Sequence, residues 1–415
     1  MTIIVAGGGI AGLTFALTCH EIGEEVHVYE AASEIRSLGV GINLQPNAVR
    51  ELYQLGLETD LREIGIEAEE WALFFYGAHP VWTEPRGTQA GYNWPQFSVH
   101  RGQFHLRLLD AVRARLGDDC VVSDARLTRF ENHASGVTAH FTTSKGKTFT
   151  QEADLLVGAD GIHSSVRQQM YPNQGDVHWG GAIMWRGVSR CAPPRTRNSF
   201  VLIGGIKQRF ICYPVAPLDE NGETTLNWIA ELRPADVSAI DQSDWNKPAK
   251  PEVFMDEFLD WDFGWLNVPE IVSRAEGIWE FPMVDRDPID RWAEGRAVLI
   301  GDAAHAMFPH GSGGATQAIV DGRVLGAAIK AVGPTKTALN VYEARLVKPI
   351  KELVLRNRGE GPMGVLFNIE ERVAAGHSLG DAIDENEIAS FMARYKEAAG
   401  FARDTLNATP AIIEG

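Results

Sequence analysis

The sequence predicts an α/β fold with an α+β insert: a Rossmann-like, doubly wound core, an interleaved β-sheet domain, and helices at the C-terminal end. Three observations predict it. The chain opens on an apolar run, a glycine cluster and a helical run. Two later apolar runs, far along the chain, also end in Gly and Asp. Between them lie segments rich in aromatic residues and punctuated by Pro and Gly, the composition of antiparallel strands.

Thr2 to Ala6 reads as a short buried strand, Ile10 to Ile22 as a helix buried on most faces and ended by Gly23, and Val26 to Tyr29 as a second buried strand. Together they make a β-α-β unit of the length a parallel pair requires. Trp71 to Phe97 changes to short aromatic runs. Gly102 to Leu116 returns to a helix, and Val121–Phe130 with Val137–Phe149 alternates like an antiparallel hairpin. Ala153 to Gly158 is again a buried strand. Trp179 to Phe281 is mostly strand-like, with a Trp-rich helical patch from Val253 to Trp265. Ala297 to Ile300 reads as a buried strand, Gly314 to Val332 as a long helix, and the chain from Lys336 onward as helices. The expected division is residues 1–70, 101–178 and 284–345 for the nucleotide-binding domain, 71–100 and 179–283 for the β-sheet substrate domain, and 346–415 for the helical region.

Composition narrows the function classes. The 415 residues carry 38 basic and 55 acidic side chains, a formal net charge of −17, with no basic run. Nucleic acid and anionic membrane surfaces both require clustered Lys and Arg, so neither is expected as a partner. The uncharged start of the chain lacks the basic residues of a signal peptide, and its glycines argue against a membrane span. The four cysteines form no Cys-x-x-Cys pair, which fits free buried thiols and a cytoplasmic setting. The pairs His100/His105 and His305/His310 miss the same-face helical spacing of metal ligands, so no metal is expected. The chain is rich in glycine, with 42, and in tryptophan, with 11. Most of the tryptophans fall in the inserts, which suggests either a layer covering a flat, apolar ligand or the aromatic core of a β-sheet.

Three motifs carry the chemistry. The first is Gly7-x-Gly9-x-x-Gly12 between strand and helix, followed by Glu30 at the end of the next strand. Gly7 permits the tight turn, Gly9 the approach of a pyrophosphate, and Gly12 the packing of helix on strand, while Glu30 is placed to accept from a ribose diol. An acidic residue there disfavours a 2′-phosphate and favours FAD or NAD over NADP at this site. The second motif runs from Asp154 through Gly158, Asp160 and Gly161 to Arg167. The third runs from Arg296 through Gly301, Asp302 and His305 to Pro309, His310, Gly311, Gly313 and Gly314. Either aspartate, Asp160 or Asp302, could alternatively serve as a helix cap.

In this order and spacing the motifs resemble the flavin-dependent aromatic hydroxylases, single-component FAD monooxygenases of the p-hydroxybenzoate hydroxylase type. Val81 to Gly87, Met184 to Gly187, Trp261 to Trp265 and Phe281 to Asp287 further resemble the bacterial phenazine-carboxylate hydroxylases within that family. The resemblance implies that Gly7, Gly9, Ile10, Ala11, Gly12 and Glu30 hold the ADP part of FAD. It also implies that Asp160 and Gly161 serve FAD and NAD(P)H, and that Asp302 contacts the ribityl chain or ribose. Pro309, Gly311, Gly313, Gly314 and Ala315 would lie beside the isoalloxazine ring, with Arg36, Gly41 and Arg101 as further flavin contacts. The implied activity is monooxygenation of an aromatic or N-heteroaromatic acid or phenol, with decarboxylation as an option, using NADH or NADPH as reductant and O2 as co-substrate. In that chemistry the flavin delivers the oxygen, and the protein positions the ring and excludes water. His310 and Tyr213 are the candidate catalytic residues, and Trp185, Arg186, Arg209, Tyr213 and His310 the candidate substrate contacts. Epoxidation or halogenation on the same fold, and a non-catalytic FAD-binding redox regulator, are the rival readings. The expected partner is a small aromatic molecule, and the expected state a monomer or homodimer.

Overall fold

The structure, a computed structural model, describes residues 1–36, 39–234, 247–359 and 361–414. Its first layer is a six-stranded sheet in the order 293–294, 297–299, 155–158, 2–6, 25–29, 121–122. The four inner strands run parallel, with Thr2–Ala6 in register with both Leu155–Gly158 and Glu25–Tyr29. The strand Thr2–Ala6 is buried on both faces, which is why its sequence is a continuous apolar run. Helix Ile10–Ile22 is buried from Ala11 to Cys19 and shows no single apolar stripe, because it lies beneath helices Arg101–Leu116 and Gly314–Val332. Gly23 ends it in the left-handed conformation, φ 78°.

The second layer is an eight-stranded sheet in the order 247–248, 275–285, 178–191, 224–232, 208–214, 199–204, 70–75, 79–85. Its pairs are antiparallel except Ser199–Gly204 against Glu70–Phe75, which is parallel. A smaller sheet of Gly41–Leu44, Phe97–His100 and Gly65–Glu67 links the two layers. Helices Gly364–Ala374 and Glu385–Ala398 close the cavity-facing side of the large sheet, while Lys336–Arg358 packs on the first layer beside Gly314–Val332. The last residues then strap back over the first layer. Arg50 donates to Thr409 O at 3.1 Å, Ile412 N to Glu51 at 3.1 Å, and Tyr92 OH to Phe401 O at 2.8 Å. Among the described residues no helix is long and apolar enough to cross a membrane, and all four cysteines are buried and free.

The elements depart from the sequence reading in five places. Val121–Phe130 is not one strand: Val121–Val122 joins the first layer beside Glu25–Tyr29, and the meander strand is Arg126–Asn132. Val137–Phe149 is two strands, Val137–Thr142 and Thr148–Ala153, joined by a turn at 143–147, so the hairpin is a three-stranded meander. Ala153 ends that meander, and the buried parallel strand starts at Leu155. The patch from Val253 to Trp265 forms short 3-10 turns that bury Phe254 and Phe258 against the large sheet, not a helix. The division placed after residue 345 falls inside the continuous helix Lys336–Arg358.

Candidate active site

Gly7 turns the chain with φ 109°, and a Cβ there would stand 2.3 Å from Ala159 O, so the first and second motifs meet backbone to backbone. At Gly12 a Cβ would stand 2.1 Å from Gly7 O, so its absence allows the helix to rest on the turn. By contrast, Cβ positions at Gly9, Gly161 and Gly314 meet no atom within 4 Å. These three glycines face open space.

That space is a cavity of about 360 Å³ between the two layers. Gly9, Ile10 and Ala11 line it from the first motif, Gly161 from the second, and Asp302, Pro309, His310, Gly313, Gly314 and Ala315 from the third. Gly41 comes from the linking sheet, Arg101 from the start of helix Arg101–Leu116, and Arg186 and Tyr213 from the large sheet. At the start of helix Gly314–Val332 the first backbone N–H groups have no intrahelical partner, and the helix dipole adds positive potential.

Buried networks hold this wall from behind. Asp321 Oδ2 accepts from Gly301 N at 2.7 Å and pairs with His305 Nε2, while its Oδ1 accepts from Gln317 at 2.9 Å. Burial by itself pushes the His305 pKa down, but Asp321 and then Asp302 outweigh it, and the pKa is raised. Arg167 donates to Ala304 O at 2.8 Å and Asp287 O at 2.6 Å, tying the second motif to the third. Burial pulls its pKa down to about 10.

On the substrate side, burial pushes the Tyr213 pKa up to about 12, partly offset by Arg186 and by hydrogen bonds with Arg186 and Asn43. Arg186 donates to Gly41 O at 3.1 Å and lies 5.6 Å from the centroid of the Phe281 ring. Its own pKa is lowered by burial. His310 Nδ1 hydrogen-bonds Asn357 O at 3.0 Å. Asn357 Oδ1 in turn accepts from Tyr395 OH at 3.0 Å.

Several candidates lie elsewhere. Trp185 points to the opposite face of the large sheet, stacked on Phe254 with centroids 5.0 Å apart and donating to Glu280. Arg209 is buried behind the wall, donating to Gly205 O and Met363 Sδ and paired with Glu231. Arg36 is exposed and paired with Glu34. Glu30 accepts from Gly8 N and Ala32 N, each at 2.7 Å, and so braces the glycine turn. Asp160 caps helix Ser165–Met170, accepting from Ser165 N at 2.7 Å. Its pKa is raised by burial against those hydrogen bonds. Gly311 packs against the C-terminal helix, where a Cβ would overlap Tyr395 OH. The tryptophans correct an expectation outright: among the described residues none lines the cavity. Met184, Ile211, Ile229, Met307 and Met363 line it instead, together with Asn43 and Glu231. Of these, Glu231 carried a signal in the sequence, an acidic residue inside an otherwise apolar strand; the aliphatic and Met residues carried none.

The donor set suits a dinucleotide that carries a flat ring. Open glycines and unpaired N–H groups fit a pyrophosphate, and the thin apolar wall beyond them fits a planar aromatic. Comparison with known proteins agrees. Residues 1–346 match the FAD binding domain family. The chain is 40% identical over 361 residues to the phenazine 1,6-dicarboxylic acid hydroxylase PhzS of Lysobacter antibioticus, covering 86% of this chain and 89% of that one. It is 33% identical to the 3-amino-4-hydroxybenzoate 2-monooxygenase PtnB3 of Streptomyces platensis, covering 86% and 87%. Among solved structures, Klebsiella pneumoniae HpxO complexed with FAD and uric acid shares the fold at TM-score 0.75 and 22% identity, covering 99% of this chain and 97% of that one.

Proposed function

The chain belongs to the FAD-binding flavoprotein hydroxylase family, and from that premise we propose that it is an FAD- and NAD(P)H-dependent monooxygenase hydroxylating a planar aromatic or N-heteroaromatic acid or phenol. One observation carries the reading: a single cavity runs from the open glycine turn at Gly9 to Tyr213 and Glu231 on the large sheet. A cofactor ring and an aromatic substrate can therefore meet face to face in one cavity. Bound FAD, reduced by NADH or NADPH, supplies the activation of O2 and the transfer of one oxygen atom.

The chain's own residues do the rest. Gly9, Ile10 and Ala11 receive the pyrophosphate at a helix N-terminus. Glu30, already fixed by Gly8 N–H, presents its remaining acceptor positions to the ribose. Asp302 and Arg101 take the ribityl side. The N–H groups of Gly314 and Ala315 stabilise negative charge on the reduced ring. Tyr213 and Arg186 orient the substrate, and His310 borders it from the flavin-facing loop. Met184, Ile211 and Ile229 exclude water from the reacting oxygen. The phenazine and aminohydroxybenzoate relatives support aromatic acids as the substrate class. The four buried thiols support a cytoplasmic setting.

The test is reconstitution with FAD, followed by NADH and NADPH oxidation in the presence of aromatic acids, phenols and phenazines, with products weighed by mass spectrometry. The expected result is a yellow protein whose NAD(P)H oxidation accelerates with particular aromatics and whose product gains one oxygen atom. A protein that takes up no FAD, or that yields no oxygenated product with any of them, overturns the proposal.

A further inference from the structure

Glu231 is an acidic side chain in a mostly apolar substrate wall. It lies near the end of strand Thr224–Leu232, is 3% exposed, and lines the same space as Tyr213 and Ile229. Its partner in register on the neighbouring strand is Arg209, whose Nη2 stands 3.5 Å from Oε1. At that distance the charges balance, but the contact is a poor hydrogen bond. Oε1 has no hydrogen-bond partner among the described residues. Arg209 meanwhile donates Nε to Gly205 O at 2.8 Å and Nη1 to Met363 Sδ at 3.2 Å.

A carboxylate accepts about four hydrogen bonds and donates none when ionised. Left unfilled beside Met184, Ile211 and Ile229, those acceptor positions are costly once water leaves. Water meets the need while the cavity is open. An aromatic molecule that displaces the water has to bring a donor of its own.

We propose that Glu231 selects the substrate by accepting a hydrogen bond from a hydroxyl or ring N–H, so that the enzyme takes donor-bearing aromatics in preference to the same ring without the donor. Arg209 then balances Glu231 and does not hold a substrate carboxylate. A carboxylate on the ring is directed away from Glu231, towards Arg186. This inference rests on the monooxygenase reading above and adds to it the chemistry of one substrate edge.

The experiment uses the FAD-loaded enzyme and two ligand pairs: 1-hydroxyphenazine against 1-methoxyphenazine, and 6-hydroxynicotinate against 6-methoxynicotinate. Dissociation constants come from flavin absorbance changes and from calorimetry. The wild-type enzyme is expected to bind the hydroxylated member of at least one pair about tenfold or more tightly, the worth of a hydrogen bond to a charged group. Arg209→Met combined with Glu231→Met, which leaves no lone charge behind, is expected to hold FAD and bind both members equally. Where that double variant loses FAD, Glu231→Gln serves in its place and is expected to narrow the preference. Equal affinities in the wild type, or a preference that survives both variants, overturn the proposal. Aromatic-stimulated NAD(P)H oxidation without donor preference overturns this inference alone. A holoenzyme that binds no ligand and shows no stimulation overturns the functional reading and this inference with it.

Discussion

The large sheet shows two unlike faces made by alternate residues of the same strands. On Gln208–Pro214, Ile211 and Tyr213 look into the cavity, while Phe210 and Cys212 look away. The away face is aromatic, with Trp228 6.1 Å from Phe210 and 6.3 Å from Phe254, and Trp185 stacked on Phe254. The cavity face is lined mainly by aliphatic and thioether side chains, with one stacked aromatic pair, Phe200 and Tyr213, centroids 4.8 Å apart, and with Arg186 and Glu231 as its charged groups. Large rings bury the most area per residue and lock one another in place, so the away face supplies rigidity. The cavity face stays thin, which leaves room for a ligand and positions a few polar groups precisely enough to read it. Tryptophan bulk therefore marks the support of this site, not its lining.

Substitutions can test that division. Trp228→Ala on the away face is expected to cost about 3–5 kcal/mol in urea unfolding, with turnover per folded holoenzyme and ligand preference unchanged; a shift in preference would break the distinction. A rigid support also backs the opposite wall, where Asp321→Asn is expected to cost about 3 kcal/mol. The same change should alter the pH dependence of stability. The folded-state pKa of His305 is raised by Asp321, so its contribution is complete below about pH 6.5 and is lost as pH rises through the folded value. Unfolding curves taken across that range should lose this slope in the Asn variant; an unchanged slope would remove His305 from the account. On the cavity face, Ile229→Val is expected to cost only about 0.5–1.5 kcal/mol while changing the affinity ratio between aromatic ligands of different width, read by titration. A loss as large as that of Trp228→Ala would erase the contrast. The smallest effect concerns Tyr213. With its pKa pushed up to about 12, it stays protonated in the resting enzyme, and ligand-binding curves from about pH 8 to about pH 10 should show no tyrosine titration. A binding step in that range that disappears in Tyr213→Phe would show that the phenol ionises there.

The parts of the fold that could be read from sequence are those where glycine and apolar runs act together. Helices Ile10–Ile22 and Gly314–Val332 have the bounds that the pattern predicts, because glycines mark their ends and apolar residues fill their bodies. The meander was misread at Phe149, since the turn at 143–147 breaks an alternation that continues in sequence across two strands. At the site, backbone roles were easier to read than side-chain roles. Gly9, Gly313 and Gly314 reach the cavity, whereas Trp185 does not, because a strand's alternation leaves open which face is covered until the packing partner is known; Arg209 is on the cavity-side face but is tied up by Gly205, Met363 and Glu231. Met363 comes from a helical segment that carried no signal at all, and it lines the cavity only because the C-terminal helices fold back. Glu231 could have been found by asking why a carboxylate sits in Asn227-Trp-Ile-Ala-Glu231.

That return of the C-terminal helices has a consequence for synthesis. The cavity wall begins at Gly9 and is completed by Met363, and Gly311 fits against Tyr395. A chain leaving the ribosome at about 5–20 residues per second thus exposes its glycine turn long before the last wall residue emerges. A chain stalled before residue 363 therefore carries the glycine turn without the complete pocket wall.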